Sequence, residues 1–301
     1  MSTAIRLDAL TRTFGRGQNQ VTALDRISLE VPEGQLIAIL GENGAGKTTL
    51  TKILSTMLNP SSGTAQVFGH DVVQAARQVR QDTTVIFGGD RGLYEMLTGR
   101  DNLAYFGALH GVRRRDLRQR IPALLEQVGL GDAGTRKVQT YSKGMRQRLH
   151  IAVGLLTRPK LLLLDEPTVG LDPNESERLR GVIAQMHADG TTVLLTSHNL
   201  LDVERLAERV VMVSRGAITH DLSLAEFRRL TGLDAVVTAQ LRTSDGASEV
   251  VVPVERWSAD TLAALARRFQ DQDLVALDVR PSSLEDAFAL ASGQSLGGDA
   301  R

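Results

Sequence analysis

"LIAILGENGAGKTTL", residues 36–50, joins an unbroken apolar run to a glycine-rich turn and then to a segment with helical character. Its centre, "GENGAGKT" at 41–48, satisfies the spacing G-x-x-x-x-G-K-[ST], with a strand before it and a helix after it. Glycines let successive backbone N–H groups turn inward and cradle phosphate oxygens at the positive end of the following helix. The loop Gly41, Glu42, Asn43, Gly44, Ala45, Gly46 is therefore expected to hold a nucleoside triphosphate. Lys47 would reach the β- and γ-phosphates, Thr48 would offer its hydroxyl to Mg²⁺, and Thr49 could donate to the α-phosphate.

Further apolar runs share the texture of 36–40. Residues 161–164, 193–195 and 210–213 are continuously apolar rather than alternating, which fits strands covered on both faces of a mostly parallel sheet. Helical segments lie between them at 47–58, 176–188 and 200–209, the second spacing Leu179, Val182, Ile183 and Met186 along one face. The fold class is α/β: a P-loop NTPase core over 1–220, with a mostly parallel sheet and a helical insertion at about 90–158. A small C-terminal α+β domain, 221–301, is expected from two strands around a Ser-Asp-Gly turn and an amphipathic helix with Leu262, Leu265, Ala266 and Phe269 on one face. A further strand, "LVALDV", and a capping box from Ser282 to Glu285 complete it. The tail "GQSLGGDAR" is expected to be disordered.

"LLLLDEPT" ends an apolar strand with two carboxylates at the carboxyl edge of the sheet, where nucleotides bind in open α/β folds. Asp165 is the expected Mg²⁺ partner, directly or through water, and Glu166 the group that polarises the attacking water. An Asp-Glu pair on its own is a common solvated loop edge, so these roles depend on what accompanies it.

Composition narrows the classes. Lys and Arg together number 35, as do Asp and Glu, so no net charge draws the chain to nucleic acid. The short basic cluster Arg113–Arg115 is better read as a solvated helix face. Cysteine is absent, which removes disulfides, thiolate metal sites and a Cys nucleophile. Apolar runs fall far short of the ~20 residues needed to cross a bilayer. No secretory signal is readable at the N-terminus. The expected location is cytoplasmic, and if the chain works at a membrane another polypeptide must supply the membrane part.

The order of motifs then carries a resemblance. "YSKGM" (141–145) lies just before "LLLLDE" (161–166), followed by "VGLD" (169–172) and by "VLLTSH" ending at His198. With the phosphate loop in front, residues 1 to about 220 resemble the ATPase subunit of an ATP-binding-cassette (ABC) transporter. Through "YSKGMRQRL", "GLYEMLTGRDNL" and "VRPSSLEDAFALASG" the chain is similar to the daunorubicin- and multidrug-resistance exporter type. The resemblance implies ATP hydrolysis with Mg²⁺, a head-to-tail pair of cassettes and a separate membrane permease carrying a drug, antibiotic or lipid-like cargo. It implies that Ser142 and Gly144 meet the γ-phosphate held by the partner copy, and that Asp172 acts across that interface. His198 would contact the γ-phosphate and hold water and Glu166 in place, and Phe14 would stack on adenine. An S-x-G before a helix otherwise serves as an ordinary N-cap, a role compatible with a dipole that favours phosphate.

One departure from the family stands out. The family has a Gln between core and helical insertion, serving Mg²⁺, the attacking water and communication with the membrane partner. Counting back from "GLYEMLTGRDNL" places Gly89 there, with Asp90 beside it. The implied outcome is that Asp90 or water takes over the metal contact, or that hydrolysis is slow. The competing reading is a non-transport ABC ATPase of DNA repair or translation. Members of that class carry a long coiled coil, zinc-binding cysteines or two cassettes in one chain, none of which is present.

Overall fold

Two long strands open the chain, β1 (Thr3–Phe14) and β2 (Val21–Pro32), followed by β3 (Leu36–Leu40) and helix α1 (Lys47–Leu54). Next come β4 (Ser62–Val67), β5 (His70–Asp71), α2 (Ala76–Asp82) and β6 (Thr83–Phe87). Three helices succeed them: α3 (Gly99–Leu109), α4 (Arg114–Gln127) and α5 (Lys143–Leu155). The chain then alternates through β7 (Leu161–Asp165), α6 (Pro173–Ala188), β8 (Thr192–Ser197), α7 (Leu200–Leu206), β9 (Arg209–Ser214) and β10 (Ala217–Ser223). It ends with α8 (Leu224–Arg229), β11 (Ala235–Thr243), β12 (Gly246–Val254), α9 (Ala259–Phe269), β13 (Leu274–Pro281) and α10 (Leu284–Ala291). This computed structural model describes residues 2–88, 92–243 and 246–292; Gly89, Asp90 and the whole tail "GQSLGGDAR" lie outside them.

The chain separates into two units, Met1–Asp221 and Leu222–Arg301. In the first, a six-stranded sheet has the order β10-β9-β3-β8-β7-β6. The run from β9 through β3, β8 and β7 to β6 pairs in parallel. The four continuous apolar runs of the sequence are its strands β3, β7, β8 and β9, nearly all of their residues buried because helices or a second sheet cover both faces. A second sheet, β2-β1-β4-β5, is antiparallel. Helix α1 lies between the two, touching β7 on one side and β2 and β4 on the other. Its Leu50, Ile53 and Leu54 are fully buried in the shared core, each contributing about 1.5–3 kcal/mol.

Two expected helices stop early. Helix α1 ends at Leu54 rather than residue 58, because Thr56 takes φ 63° and the N–H groups of Met57 and Leu58 both donate to Lys52 O, closing the last turn. Helix α7 ends at Leu206 rather than residue 209, because Ala207 is extended and Glu208 N–H already donates to Leu36 O of the sheet.

The C-terminal unit is a three-stranded antiparallel sheet, β12-β11-β13. Leu265 and Phe269 of α9 pack on Val237, Ala239, Val252 and Val254. The expected capping box is displaced by one residue. Ser283, not Ser282, caps α10, and Asp286 rather than Glu285 returns the bond. The reason is Arg280, which grips Asp286 with two nitrogens at 2.6 and 2.9 Å and fixes that carboxylate at the third helical position.

Candidate active site

The parallel sheet delivers its carboxyl ends to one edge. Asp165 closes β7 opposite Thr196 of β8 and Phe87 of β6, while Leu40, the last residue of β3, stands opposite Ser197. The loop 41–46 leaves that edge and turns into α1. Gly46 is the N-cap with φ 110°, and a Cβ there would lie 2.4 Å from Ala23 O and 2.8 Å from Leu24 Cδ2, so only glycine fits. Glu42, Asn43 and Gly44 are exposed at the rim, whereas Gly41, Ala45 and Gly46 are buried beneath it.

Lys47 is 6 % exposed, and its ammonium donates to Gly41 O at 2.6 Å and Glu42 O at 3.2 Å. It also stands 3.6 Å from Glu166 Oε1. Thr48, one residue on, donates its hydroxyl to Asp165 Oδ2 at 2.8 Å. The other oxygen, Oδ1, accepts a short bond from Thr196 Oγ1. Asp165 is thus a buried carboxylate with both oxygens engaged, as a buried charge requires. Thr49 is half-buried on the same turn.

Glu166 has φ 53°, a left-handed backbone uncommon for a residue with a Cβ, held by its N–H donating to Thr196 O at 3.0 Å. Its Oε2 accepts the backbone N–H of His198 at 3.2 Å and lies 2.7 Å from His198 Nδ1. The imidazole that makes this contact is half-exposed. Gly88 closes the back of the turn. Its N–H donates to Asp165 O at 2.7 Å, and a Cβ would come within 2.4 Å of Glu166 O.

Ser142, Gly144 and Asp172 form a second cluster, at the N-termini of α5 and α6. Ser142 caps α5, its Oγ accepting Met145 N–H at 3.1 Å. Asp172 caps α6, accepting Glu175 N–H at 2.9 Å. Glu175 joins the two, because it pairs with buried Arg148 of α5 at 3.0 Å and its carboxylate stands where a Cβ on Gly144 would be, 2.4 Å away. Tyr141 is buried and donates to Ala133 O at 2.7 Å; burial pushes its phenol up. Arg146 turns back to donate to Tyr141 O at 2.9 Å. Phe14, at the end of β1, is 40 % exposed, with the Arg12 guanidinium 4.6 Å over its ring centroid, so it is no core residue.

Lys47, Glu166 and His198 are therefore brought into one contact chain, with the Thr48–Asp165 pair in a second one beside it. Sequence reasoning missed Thr196, Gly88 and Glu175. Thr196 had a signal, since "LLLLD" and "TVLLTS" are parallel runs whose polar ends coincide. Beside this edge lies a groove of 690 Å³, bounded by β6, Gly88, Phe106 of α3, and His150, Val153 and Gly154 of α5. A larger concavity, 890 Å³, sits at the opposite end of β7 and β8 around Lys160 and Thr192 and includes none of the site residues.

Mg²⁺ fits the donor set. A hydroxyl and a carboxylate oxygen, Thr48 Oγ1 and Asp165 Oδ2, converge beside the phosphate loop, and this ion is usually held by few protein oxygens together with substrate phosphates.

A sequence model of the ABC transporter family matches residues 24–169. The chain is 38 % identical over 240 residues to the ABC transporter ATP-binding protein NatA of Bacillus subtilis, covering 79 % of this chain and 98 % of that one. It is 36 % identical over 309 residues to the daunorubicin resistance ATP-binding protein DrrA3 of Streptomyces coeruleorubidus, covering 97 % and 96 %. Among solved structures it is similar to a dimeric ATP-binding cassette in a post-hydrolysis state bound to ADP and Pi. That match has a TM-score of 0.64 at 24 % identity, covering 73 % of this chain and 98 % of the other.

Proposed function

This chain belongs to the ABC transporter family, and from that premise we propose that it hydrolyses ATP as one of a pair of cassettes driving a separate membrane permease. The cargo class is a drug, antibiotic or lipid-like compound, a reading supported by the daunorubicin-resistance relative that the chain matches along nearly its whole length. The observation that carries it is the contact chain Lys47–Glu166–His198 beside Thr48–Asp165, at the carboxyl edge of a parallel sheet.

Phosphoryl transfer to water is mostly positioning and charge stabilisation. The N–H groups of residues 42–47 and the Lys47 ammonium would bind the β- and γ-phosphates, and Phe14 would offer its open face to adenine. Thr48 and Asp165 would hold Mg²⁺, which when bound neutralises phosphate charge. Glu166 would accept a hydrogen bond from the attacking water, its carboxylate kept in place by His198, and the imidazole of His198 would also contact the γ-phosphate. The second copy's Ser142 and Gly144 would complete the site, with Asp172 at the shared interface.

Among the described residues no helix is long and apolar enough to cross a membrane. The permease would seat in the groove between β6, α3 and α5, which opens next to Gly88 and so stands one residue from the Asp165–Glu166 turn. Exposed Tyr94, stacked edge-on against Tyr105 at 4.7 Å, offers further apolar surface in the helical region. Such seating would place the chain on the inner face of the membrane. Gly89, which lies with Asp90 outside the described residues, would stand in sequence where the family has its Gln, with Asp90 or water taking over the metal contact or hydrolysis being slow. Residues 222–301 would form an accessory domain.

The test is co-purification with a multi-spanning membrane protein and assay of ATP turnover by the complex. The reading requires turnover that depends on Mg²⁺ and disappears in Glu166→Gln. A complex without nucleotide affinity contradicts it.

A further inference from the structure

Behind the reacting edge lies a second buried carboxylate that the mechanism above does not use. Asp202, on α7, is fully buried. Its Oδ1 accepts Arg180 Nε of α6 at 2.8 Å. Its Oδ2 accepts a short bond from Thr168 Oγ1 and a longer one, 3.3 Å, from Ser197 Oγ. All three donors are about 5 % exposed or less. Ser197 Oγ also receives Asn199 N–H at 2.9 Å, and its single proton is shared between Asp202 Oδ2 and Asn199 O, each 3.3 Å away.

The partners are what give this cluster a function. Thr168 is two residues beyond Glu166, and its carbonyl accepts Leu171 N–H at 3.1 Å in the turn that leads to Asp172. Ser197 is the residue immediately before His198. Arg180 belongs to α6, the helix that Asp172 caps. One carboxylate therefore ties together the segment leaving β7, the segment leaving β8 and the helix behind the interface cluster. A buried ion pair with a net attraction little better than an apolar replacement is weak as a stabiliser, and fixing geometry is a better account of its presence.

We propose that Asp202 is a positioning residue for hydrolysis: through Thr168 and Ser197 it sets the register of the two strand-end turns so that His198 meets Glu166. This rests on the assignment of Glu166 and His198 to ATP hydrolysis. The 2.7 Å contact between those two is also braced by Glu166 N–H donating to Thr196 O, by His198 N–H donating to Glu166 Oε2 and by Lys47 at 3.6 Å from Glu166 Oε1; Thr168 and Ser197 add a brace from behind the turns. Loosening the brace by about an ångström is enough to misplace a reacting group, which can lower the rate by about 100-fold.

The experiment is a double-mutant cycle in the assembled complex. Thr168→Val keeps the shape and removes the hydroxyl, Thr168→Ser keeps the hydroxyl, and each is combined with His198→Ala. Thr168→Val is expected to lower kcat by about 10- to 100-fold with KM for ATP within about twofold, and Thr168→Ser to recover most of the loss. In the His198→Ala background the same substitution should cost less than about twofold, because the contact it protects is already gone. Equal fold-losses in both backgrounds, or an unchanged kcat in Thr168→Val, overturn the proposal. Should Thr168→Val not fold, Ser197→Ala is carried through the same cycle with the same two readings. If His198→Ala alone leaves turnover intact, the assignment of His198 fails first, and the positioning role of Asp202 that rests on it is overturned with it.

Discussion

Glu166 and His198, 32 residues apart in the chain, meet at the ends of adjacent parallel strands with Oε2 2.7 Å from Nδ1, and the same oxygen accepts the histidine's own backbone N–H. The carboxylate is held from two directions by one residue, while Lys47 approaches its other oxygen. Glu166→Gln keeps the shape and removes the base. Turnover should fall by about 10²–10⁴-fold with ATP affinity retained, measured by phosphate release and by equilibrium binding.

Asp165 depends on two hydroxyls, and Thr196 is the one that does not face the proposed metal. Thr196→Val leaves a buried carboxylate oxygen without its donor. The Mg²⁺ concentration for half-maximal turnover should rise about 10- to 100-fold, the usual effect of removing a group that orients a metal ligand, and Thr196→Ser should restore it.

Gly144 faces a carboxylate that cannot easily swing aside, because Glu175 is pinned by Arg148 at 3.0 Å and by Arg178 at 3.1 Å. Gly144→Ala should therefore push α5 from α6. The expected cost is about 1–3 kcal/mol in the thermal melt, with turnover lost and nucleotide binding by the single copy kept.

In the C-terminal unit, burial pushes the Asp286 carboxyl up, but hydrogen bonds from Arg280 and Ser283 outweigh it and hold the group below the usual carboxylate range. A lowered folded value means stability that is complete above the unfolded pKa of about 3.9 and is lost as pH falls through the folded one. Asp286→Asn should cost about 1–3 kcal/mol at neutral pH, and the difference from the parent chain should begin to shrink only as pH falls to about 4 and vanish once pH is below the lowered folded value. Trp257, the single tryptophan of the chain, reports the melt of this unit by fluorescence.

The parts legible in the sequence were those whose physics is local. Residues 41–48 are contiguous, and the strands β3, β7, β8 and β9 declare themselves because burial on both faces demands unbroken apolar runs. The strands β1 and β2 did not, since bulges at Ala9 and Arg26, both with positive φ, break the two-residue period that would have marked them. Thr196, Asp202 and Glu175 were hidden for another reason. Their partners lie on other elements, so only the strand register and the α5–α6 contact reveal them. The capping box was misplaced by one residue because the deciding partner, Arg280, stands outside the four-residue pattern.

Sedimentation of Glu166→Gln with and without ATP and Mg²⁺ tests most directly whether the site is shared between two copies. The account predicts one copy per particle without nucleotide and two with ATP, and predicts that adding Ser142→Arg abolishes pairing while each copy still binds ATP. Failure to pair at saturating ATP, or pairing that ignores Ser142→Arg, would contradict it.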